Sequence, residues 1–550
     1  MKALSSRFAL QCLGLAVLLA SATPAFAQKD TPLEDPDGKP ITTVEKYEYV
    51  PSETLPEVKG VSNYSWENDT VVFPVNVWIG WAPIIMANGG LEPSEESVFF
   101  KRYGFKVKLP VIDDPVEARD SFAAGKAHIL WGTLDMMALF APHLAKDSRS
   151  AIRIFQQVDW SNGGDGVVAR GGIKSINDLK PKDGKKRVVA LAQHSPSHYY
   201  MLNLMYYAGL RPDDVVFNFT GDAFQAASAF VNDDTVDVCV TWAPDIYNIS
   251  DPKKSGIKDV ALVSTTADAK RVIADVWAAR ADFAKDHPEV IEGLVRGIFD
   301  GMQMVKDEPE KAAVLFEKAF DLPKGEAAAM MADAHLTNYA ENADFFVNSN
   351  NPSNFEQTWD NINNIYRLAG YIKEPVAFGE VMDPRVIEKV APDYKDSKHE
   401  YRDAFAAVDV NVDEAKQILT RTVYIHFAPN RSDVSSKYDP NAEEVVKEIG
   451  RLTSQFGGSM VVISGHADRS RYDQVKGLGA KVMERHSAAV KALSERRARG
   501  VVTALKGKFP IFKEQAERFV VEGEGWEKPL KTHALSRRVE VTVLSPEQGE

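Results

Sequence analysis

Hydrophobic positions change their spacing at regular intervals along the chain. Strand-like runs at residues 71–79, 105–109 and 128–131 are interrupted by helical spacing at 116–124. Downstream the alternation continues, with strand patterns at 188–191, 215–219 and 236–241 and helical patterns at 199–207 and 224–231. Strands that alternate with helices in this way predict βαβ units and a parallel sheet. After residue 288 the pattern is helical, and it continues as helix and loop to about residue 401.

A second α/β pattern begins beyond a boundary near residues 406–420. Its strand patterns lie at 422–427, 460–464, 518–522 and 538–543, and its helical patterns at 441–456 and 479–505. No short-period repeat links the two patterns. The sequence therefore predicts an α/β protein of two unrelated modules, at residues 70–405 and 421–545, joined by a connector at 406–420.

The first 27 residues have the features of a secretory signal peptide. Lys2 and Arg7 precede an apolar run at 8–22, and Ala25-Phe26-Ala27 forms a small-x-small cleavage site. The run is short for a membrane span, and no later stretch reaches 18 apolar residues. We therefore expect export to the periplasm and no transmembrane segment after cleavage. Residues 28–69 are polar and predict a tether or an extended lead-in.

Charge and cysteine content narrow the class of protein. The 550 residues include 65 Lys and Arg against 78 Asp and Glu, a formal charge of −13, which argues against nucleic acid as a partner. Removal of the signal peptide takes Cys12 with it and leaves Cys239 alone. An exported chain with one thiol has no internal disulfide, so its modules must be stabilised by their hydrophobic cores.

Aromatic and hydroxyl residues follow four of the predicted strands of the first module. A parallel α/β sheet binds ligands at the carboxyl ends of its strands, which makes these residues candidates for lining a ligand site. An alternative is that the tryptophans belong to the core, since buried tryptophan is common. The candidates are Trp81, Gly132, Thr133, Ser195, Ser197, Tyr199, Trp242 and Asp245.

The motifs of the first module, in order, resemble periplasmic nitrate/sulfonate/taurine-type solute-binding proteins. They include Gly80-Trp81-Ala82-Pro83, Phe122-Ala123-Ala124-Gly125 and Asp237-Val238-Cys239-Val240-Thr241-Trp242-Ala243-Pro244. The similarity runs from about residue 71 to 394. It implies a two-lobed periplasmic-binding-protein fold that closes on a small molecule, with an ABC permease as partner and the candidates named above as the ligand-lining residues.

Two interpretations of the ligand's charge remain open. Hydroxyl groups at a helix start, as at Ser195 and Ser197, suit an anion such as a sulfonate. Asp135, Asp165, Asp222 and Asp245 also lie near strand ends, and unpaired carboxylates there would repel an anion and attract an amine.

The residues give little support for an enzyme. His194 and His198 flank Ser195, but no Gly-x-Ser-x-Gly elbow surrounds the serine, and Pro196 lacks the N–H that an oxyanion hole would use. Enzymes within the resembled fold family use a cysteine-rich motif, which is not present here. We expect neither catalysis nor a cofactor nor a metal site.

The second module resembles the OmpA-like peptidoglycan-binding domain, an α+β fold, over about residues 421–544. The resemblance rests on Val461-Val462-Ile463-Ser464-Gly465-His466-Ala467-Asp468, Leu493-Ser494-Glu495-Arg496-Arg497-Ala498 and Arg537-Arg538-Val539-Glu540-Val541. It implies that Asp468 and Arg497 grip the zwitterionic end of diaminopimelate in the wall peptide. The alternative is a purely structural Asp–Arg pair. Two departures from the family pattern are a longer separation of 29 residues between these two positions and Ser536 before the Arg-Arg pair.

Together these interpretations predict a periplasmic receptor held non-covalently on the cell wall, on its outer-membrane side. Tethering would raise its effective concentration near a permease. The alternative is an envelope sensor or structural protein that uses the same two modules without transport.

Overall fold

The computed structural model describes residues 34, 36, 38, 40–400, 415–427 and 431–548, with the side chains of 546–548 left out. The predicted signal peptide lies outside the described residues. Within this part of the chain the strands are β1 Tyr49–Val50, β2 Thr70–Val72, β3 Lys106–Lys108, β4 Ile129–Thr133, β5 Ile152–Ser161, β6 Asp165–Ala169, β7 Val188–Ala192, β8 Val216–Thr220, β9 Val238–Trp242, β10 Ala261–Thr265, β11 Ala274–Arg280, β12 Ala334–Leu336, β13 Ala415–Val423, β14 Met460–His466, β15 Phe519–Gly525 and β16 Val539–Gln548.

The helices of the same residues range in length from 4 residues in α8 to 29 residues in α19. They are α1 Ala82–Asn88, α2 Val98–Tyr103, α3 Pro115–Ala123, α4 Leu134–Leu144, α5 Pro196–Tyr207, α6 Ala223–Asn232, α7 Asp245–Ser250, α8 Pro252–Ser255, α9 Ala281–Asp286, α10 Pro288–Asp307, α11 Pro309–Phe320, α12 Glu326–Met330, α13 Tyr339–Phe346, α14 Phe355–Leu368, α15 Phe378–Val381, α16 Arg385–Val390, α17 Ala442–Gln455, α18 Tyr472–Lys476, α19 Ala480–Lys508, α20 Ile511–Glu514 and α21 His533–Ser536. Among the described residues, no helix combines the length and the apolarity needed to cross a bilayer.

The first module consists of two lobes, each built on its own mixed α/β arrangement. The first lobe contains a four-stranded antiparallel sheet in the order β12-β5-β11-β4 and a parallel pair, β2 and β3. The second lobe contains a six-stranded sheet in the order β1-β8-β7-β9-β6-β10. In that sheet β7 is parallel to β8 and β9, and β10 runs in the same direction, whereas β1 and β6 run the other way. The expected parallel sheet is thus found in the middle of the second lobe, and the first lobe departs from it.

After β5 the chain crosses between the lobes twice, and these crossings explain why the first lobe lacks a parallel sheet. The chain leaves the first lobe at the end of β5, enters the second as β6 across residues 162–164, and returns from β10 to β11 across 266–273. Strands that enter a sheet from the neighbouring lobe run opposite to the βαβ strands already there. Hydrophobic spacing predicts the strands but carries no information about their direction.

The apolar run at residues 71–79 forms a shorter strand than its pattern predicts. Only Thr70–Val72 is strand, because Pro74 lacks the N–H that a continuing ladder requires. The backbone stays extended beyond it, and Phe73 and Val75 donate their N–H groups to the carbonyls of Lys108 and Pro110 at 2.9 and 3.0 Å.

The polar segment before the first module is packed against it rather than free. β1 pairs with β8 at the edge of the second lobe, and Ile41 is buried. In the first lobe, the buried guanidinium of Arg119 donates to the carbonyl of Pro56 at 2.7 Å. From residue 40 onward the segment is therefore an extended lead-in that packs on the module, and it is not a free tether.

The second module is a four-stranded sheet in the order β13-β16-β14-β15, with α17 and α19 as its long helices. β14 is parallel to β15, and β16 is antiparallel to both of its neighbours. β13 begins at Ala415, inside the segment predicted as connector, and ends before the predicted strand at 422–427 is complete. Ile418 and Leu419 are buried there, so the strand is fixed by burial and by pairing with β16.

The two modules contact each other through several hydrogen bonds. Asn177 of the second lobe accepts from the N–H of Thr420 at 2.7 Å and donates to its carbonyl at 3.0 Å. The crossing at 266–273 also takes part, because the N–H of Arg271 donates to the carbonyl of Gln455 at 3.1 Å. The second module therefore lies against one of the segments that join the lobes.

Candidate functional sites

Three polar residues lie side by side where the central strands of the first lobe approach the crossings. In the register of the sheet, Asp275 of β11 is opposite Thr133 of β4 on one side and Asp159 of β5 on the other. All three residues are buried. The strand ends thus place a hydroxyl and two carboxylates in one row at the junction of the lobes.

Trp78 and Gly80 complete the surroundings of Asp159. The indole Nε1 of Trp78 donates to Oδ2 of Asp159 at 3.2 Å. A Cβ atom at Gly80 would lie 1.8 Å from the same oxygen, so the carboxylate requires glycine at that position. The loop after residue 77 is therefore fitted closely around this side chain.

Asp165 approaches the same region from the start of β6. Ser161 Oγ donates to its Oδ2 at 2.8 Å, and Thr266 Oγ1 accepts from its N–H at 3.2 Å. Asp165 is also opposite Trp242 in the second lobe's sheet. Both lobe crossings thus contribute polar groups to the surroundings of this carboxylate.

Asp135 lies in the first turn of α4, directly after β4. The Tyr366 hydroxyl donates to its Oδ2 at 3.3 Å, while Oδ1 has no hydrogen-bond partner in the described part of the chain. Asp135, Asp159, Asp165 and Asp275 are called the acidic cluster below.

Burial governs the electrostatics of the acidic cluster. It raises the pKa of Asp135 to about 6 and that of Asp165 to about 7. The pKa of Asp275 is raised well above its ordinary value by burial and by repulsion from the other three carboxylates. Among the described residues, no lysine, arginine or histidine makes a hydrogen bond or ion pair with any of the four. The cluster is thus a concentration of carboxyl groups that no described cation neutralises, and burial keeps some of them protonated near pH 7.

Several ligand-lining candidates are occupied by contacts within the protein. Trp81 is a core residue whose Nε1 donates to Asn76 at 2.7 Å. Tyr199 is fully buried, and its hydroxyl accepts from Asn203 at 3.2 Å. Asp245 accepts three hydrogen bonds, at 2.7–3.0 Å, from the N–H and hydroxyl of Thr43 in the lead-in.

The remaining candidates lie nearer the strand ends. Gly132 belongs to β4 and precedes Thr133 of the polar row. Trp242 is half-buried and meets Phe224 edge-on at 5.5 Å. Ser197 is fully buried, and its Oγ has no hydrogen-bond partner among the described residues. The structure brings Thr133, Asp135, Asp165 and Trp242 to the lobe junction.

Sequence reasoning did not select Trp78, Asp159 or Asp275. One available indication was a single acidic residue inside an otherwise apolar strand, as in Val158-Asp159-Trp160 and Asp275-Val276-Trp277. A carboxylate in a fully buried strand is costly unless it has a partner or a purpose.

The serine and histidines at the start of α5 do not form a nucleophile pair. Ser195 is the N-cap of the helix, and its Oγ donates to the carbonyl of Ala192 at 2.8 Å. Burial lowers the pKa of His194 to about 4 and that of His198 to about 3. Both rings are neutral near pH 7, and the serine hydroxyl is directed at the backbone.

Asp468 and Arg497 of the second module lie at the border of one pocket. Arg497 stands over the Phe427 ring at 5.1 Å and lines a cavity of about 180 Å³ together with Arg537. Asp468 accepts from Arg537 Nη1 at 3.0 Å and from the N–H of Ser470 at 2.8 Å. The acidic residue thus reaches the pocket through a second arginine, which sequence reasoning did not select.

The pKa values of Arg497 and Asp468 are each shifted by effects of opposite sign. Burial and the neighbouring Arg537 lower the pKa of Arg497, and Asp468 partly offsets them. Burial opposes ionisation of Asp468, but hydrogen bonds from Ser470 and Arg537 lower the pKa of its carboxyl overall. Arg538 also lines the pocket but is paired with Glu540, so Arg497 and Arg537 against Asp468 leave an excess of positive charge.

The departures from the family pattern also have a structural description. The extra residues between Asp468 and Arg497 form α18 and the first turns of α19. Ser536 is buried, accepts from the N–H of Leu530 at 3.0 Å and donates to the carbonyl of Thr532 at 2.8 Å. Within the described residues of both modules, no group of three or more His, Cys, Asp or Glu side chains is arranged to hold a metal ion.

Comparisons with known proteins concern the first module. Residues 93–312 match the family described as NMT1/THI5 like. The taurine-binding periplasmic protein of Escherichia coli K12 is 25% identical over 219 residues, which are 39% of this chain; the chain spans 62% of that relative's length.

Among solved structures, the periplasmic aliphatic sulphonate-binding protein of Escherichia coli is 16% identical, with 58% of this chain and 93% of that one covered and a TM-score of 0.44. A desulfurization enzyme is 14% identical, with 60% and 100% covered and a TM-score of 0.39. Part of the chain is therefore similar to an NMT1/THI5-like family and to periplasmic binding proteins.

Proposed function

We propose that this protein is a periplasmic solute-binding protein that captures a small molecule between its two lobes and delivers it to an ABC permease. The observation that carries this proposal is the buried polar row at the lobe junction and its neighbours Asp135 and Asp165, each with a carboxylate oxygen that receives no hydrogen bond from a described residue. Buried polar atoms are normally paired, so a ligand is a natural partner for these. The similarity to a taurine-binding periplasmic protein supports the same role.

The two crossings supply the mechanism of capture. The segments at 162–164 and 266–273 join the lobes, and Gly163 has a φ of 112°, a conformation that side chains disfavour. Thr266 Oγ1 accepts from the N–H of Gly163 at 2.8 Å, which links one crossing to the other. A ligand bound beside them makes contacts with both lobes at once and favours the closed arrangement.

Thermal unfolding of the full mature chain tests capture. Sulfonates, carboxylates, amines and pyrimidines are screened, and a ligand at 100 times its dissociation constant adds about 2.7 kcal/mol to the free energy of unfolding. We expect at least one class to raise the melting temperature, and the rise to shrink when Thr133 is changed to Val. A rise that persists in Thr133→Val, or none from any class, would contradict capture at the lobe junction.

We further propose that the second module holds the receptor non-covalently on peptidoglycan. Diaminopimelate ends in an ammonium and a carboxylate. Arg497 and Arg537 can bind the carboxylate, and Asp468 can accept from the ammonium. The resemblance to OmpA-like domains, the position of Arg497 and Arg537 in the lining of one cavity and the bond from Arg537 to Asp468 support this role.

Cosedimentation of the full mature chain with purified peptidoglycan tests the anchor. Asp468→Ala and Arg497→Ala should each weaken binding about tenfold or more, because hydrogen bonds to charged groups contribute roughly 1.5–3 kcal/mol. Arg499→Ala is the matched control, since Arg499 lies on the same helix but is exposed and paired with Glu495. If both site variants sediment like the parent while remaining folded, the anchor proposal is wrong.

A sensor of the cell envelope is the second candidate. It is favoured by contacts between the second module and the crossing at 266–273: Ser545 Oγ donates to Asp268 at 2.7 Å, and Arg271 is bonded to Gln455. Ligand-driven movement of the lobes would reach the wall-binding module through these bonds. Genes for a permease and an ATPase next to the gene for this protein would favour transport, and their absence would favour sensing.

A further inference from the structure

We propose that the ligand captured at the lobe junction carries an ammonium group, and that the acidic cluster binds it. This inference rests on the proposed capture function and names the chemical class of its ligand. Taurine carries an ammonium group as well as a sulfonate, so the similarity to a taurine-binding protein does not decide which end group the junction selects.

The arrangement of the strands concentrates the negative charge. Asp275 stands between Thr133 and Asp159 in the register of β4, β11 and β5. Asp135 follows β4 by two residues, and Asp165 enters from the first crossing. Repulsion among the four carboxylates raises the pKa of Asp275 further, which places the side chains within electrostatic reach of each other.

Unpartnered oxygen atoms are the second, independent observation. Thr133 is 4% exposed and close enough to Asp135 for its hydroxyl to lower the pKa of that carboxyl, and no group in the described part of the chain donates a hydrogen bond to its Oγ1. The same is true of Oδ1 in Asp135 and Oδ1 in Asp165, which are 1% and 4% exposed. An ammonium group has three donors and no acceptor, so acceptors of this kind are suitable partners for it.

Trp78 and a fifth carboxyl group border the cluster on the side of the first crossing. Trp78 holds Asp159 through its indole N–H, and a Cβ built on Gly164 would lie 2.8 Å from the far edge of the same ring. Asp333 lies beside this ring and Gly164, and burial raises the pKa of its carboxyl to about 6. The fifth carboxyl group extends the preference for a cation toward the crossing.

An anion would be disfavoured at the same place. The N-terminus of α4 would ordinarily attract a negative charge, but Asp135 already occupies its first turn. None of the four carboxylates is neutralised by a described lysine, arginine or histidine. A sulfonate would therefore meet like charges in a buried site, whereas an ammonium removes the repulsion between them.

Calorimetric titration of the full mature chain with matched pairs of probes tests the proposal. Each pair shares one carbon skeleton and differs in its end group: ethylamine with ethanesulfonate, butylamine with butanesulfonate, benzylamine with phenylmethanesulfonate. We expect the amines to bind at least tenfold more tightly than their sulfonate partners. Asp135→Asn and Asp275→Asn keep the side-chain shape and remove the charge, and each should weaken amine binding about tenfold or more.

The outcomes distinguish the ammonium inference from the capture function on which it rests. Asp213→Asn, which removes an exposed carboxylate of the second lobe, is the control and should leave amine binding unchanged. Tighter binding of the sulfonates, weakened by Thr133→Val, would overturn the ammonium inference and leave capture at the junction intact. No binding by any probe would overturn both. Amine binding that survives Asp135→Asn and Asp275→Asn would also overturn the inference, because the charge would lie elsewhere.

Discussion

At the scale of single residues, the carboxylates of Asp159 and Asp275 bring charge into strands that are otherwise apolar. Burial of an ionised carboxylate is costly, so such groups take up protons more readily than in water. Here burial and mutual repulsion raise the pKa of Asp275, and burial raises that of Asp165 to about 7. The unliganded protein therefore binds protons near neutral pH that the unfolded chain releases.

This proton binding predicts how stability depends on pH. An unfolded aspartate has a pKa of about 3.9, below the folded values, so the stabilising effect is complete below about pH 4 and is lost as pH rises through about 7. We expect the free energy of unfolding of the unliganded parent to fall between pH 5 and pH 8. Asp275→Asn should flatten this fall and be the more stable protein at pH 8, by on the order of 1 kcal/mol.

Urea unfolding at pH 5, 6.5 and 8 measures this dependence. Around Asp275 the facing groups are Asp159, Asp165 and Asp135, with Thr133 opposite in the sheet, so removal of one carboxyl also eases ionisation of the others. Asp213→Asn serves again as the exposed control and should follow the parent. Parallel profiles for the parent and Asp275→Asn would show that this carboxyl does not titrate in the range.

The residues of the site were only partly predictable. Thr133 and Asp135 follow a strand and were accessible to reasoning about strand ends. Trp81 follows the predicted strand at 71–79 equally closely, yet its ring lies in the core and its Nε1 donates a hydrogen bond to Asn76. Asp245 was unpredictable for another reason, since its partner Thr43 is 202 residues away in a segment with no strand or helix pattern.

At the scale of elements, hydrophobic spacing predicted most strands and helices but not their directions or ends. The helix predicted at 479–505 is found as Ala480–Lys508, because its length makes the pattern unambiguous. β13 was placed too late by the sequence pattern, since its first residues are polar and are held in strand by pairing with β16. A strand that is held by a partner distant in sequence cannot be recognised from its own residues.

The lead-in illustrates the same limit. Its composition is that of a linker, yet β1 adds an edge strand to the second lobe, and the buried Arg280 donates to the carbonyl of Ser62 at 2.9 Å. Backbone carbonyls accept these bonds whatever the side chains are, so the sequence of the segment does not disclose them. The better indication that the lead-in is packed lies in its distant partners, because Arg119 and Arg280 are buried arginines that need such hydrogen bonds.

At the scale of the whole molecule, capture and anchoring are assigned to modules that contact each other. The charges of the two proposed sites are complementary to different ligands: the acidic cluster has an excess of negative charge, and the pocket of Arg497 and Arg537 has an excess of positive charge. The bonds from the second module to Asp268 and Arg271 place it against a crossing between the lobes. The two proposals together assign an ammonium ligand to the lobe junction and the zwitterionic end of a wall peptide to the second module.

A crystal structure of the full mature chain with the tightest-binding amine tests the central claim most directly. The account predicts density for the amine at the lobe junction, with its nitrogen within hydrogen-bond distance of Thr133 Oγ1 and of carboxylate oxygens of Asp135 or Asp165. Density for the bound molecule elsewhere, or at the junction with its nitrogen turned away from the acidic cluster, would contradict it.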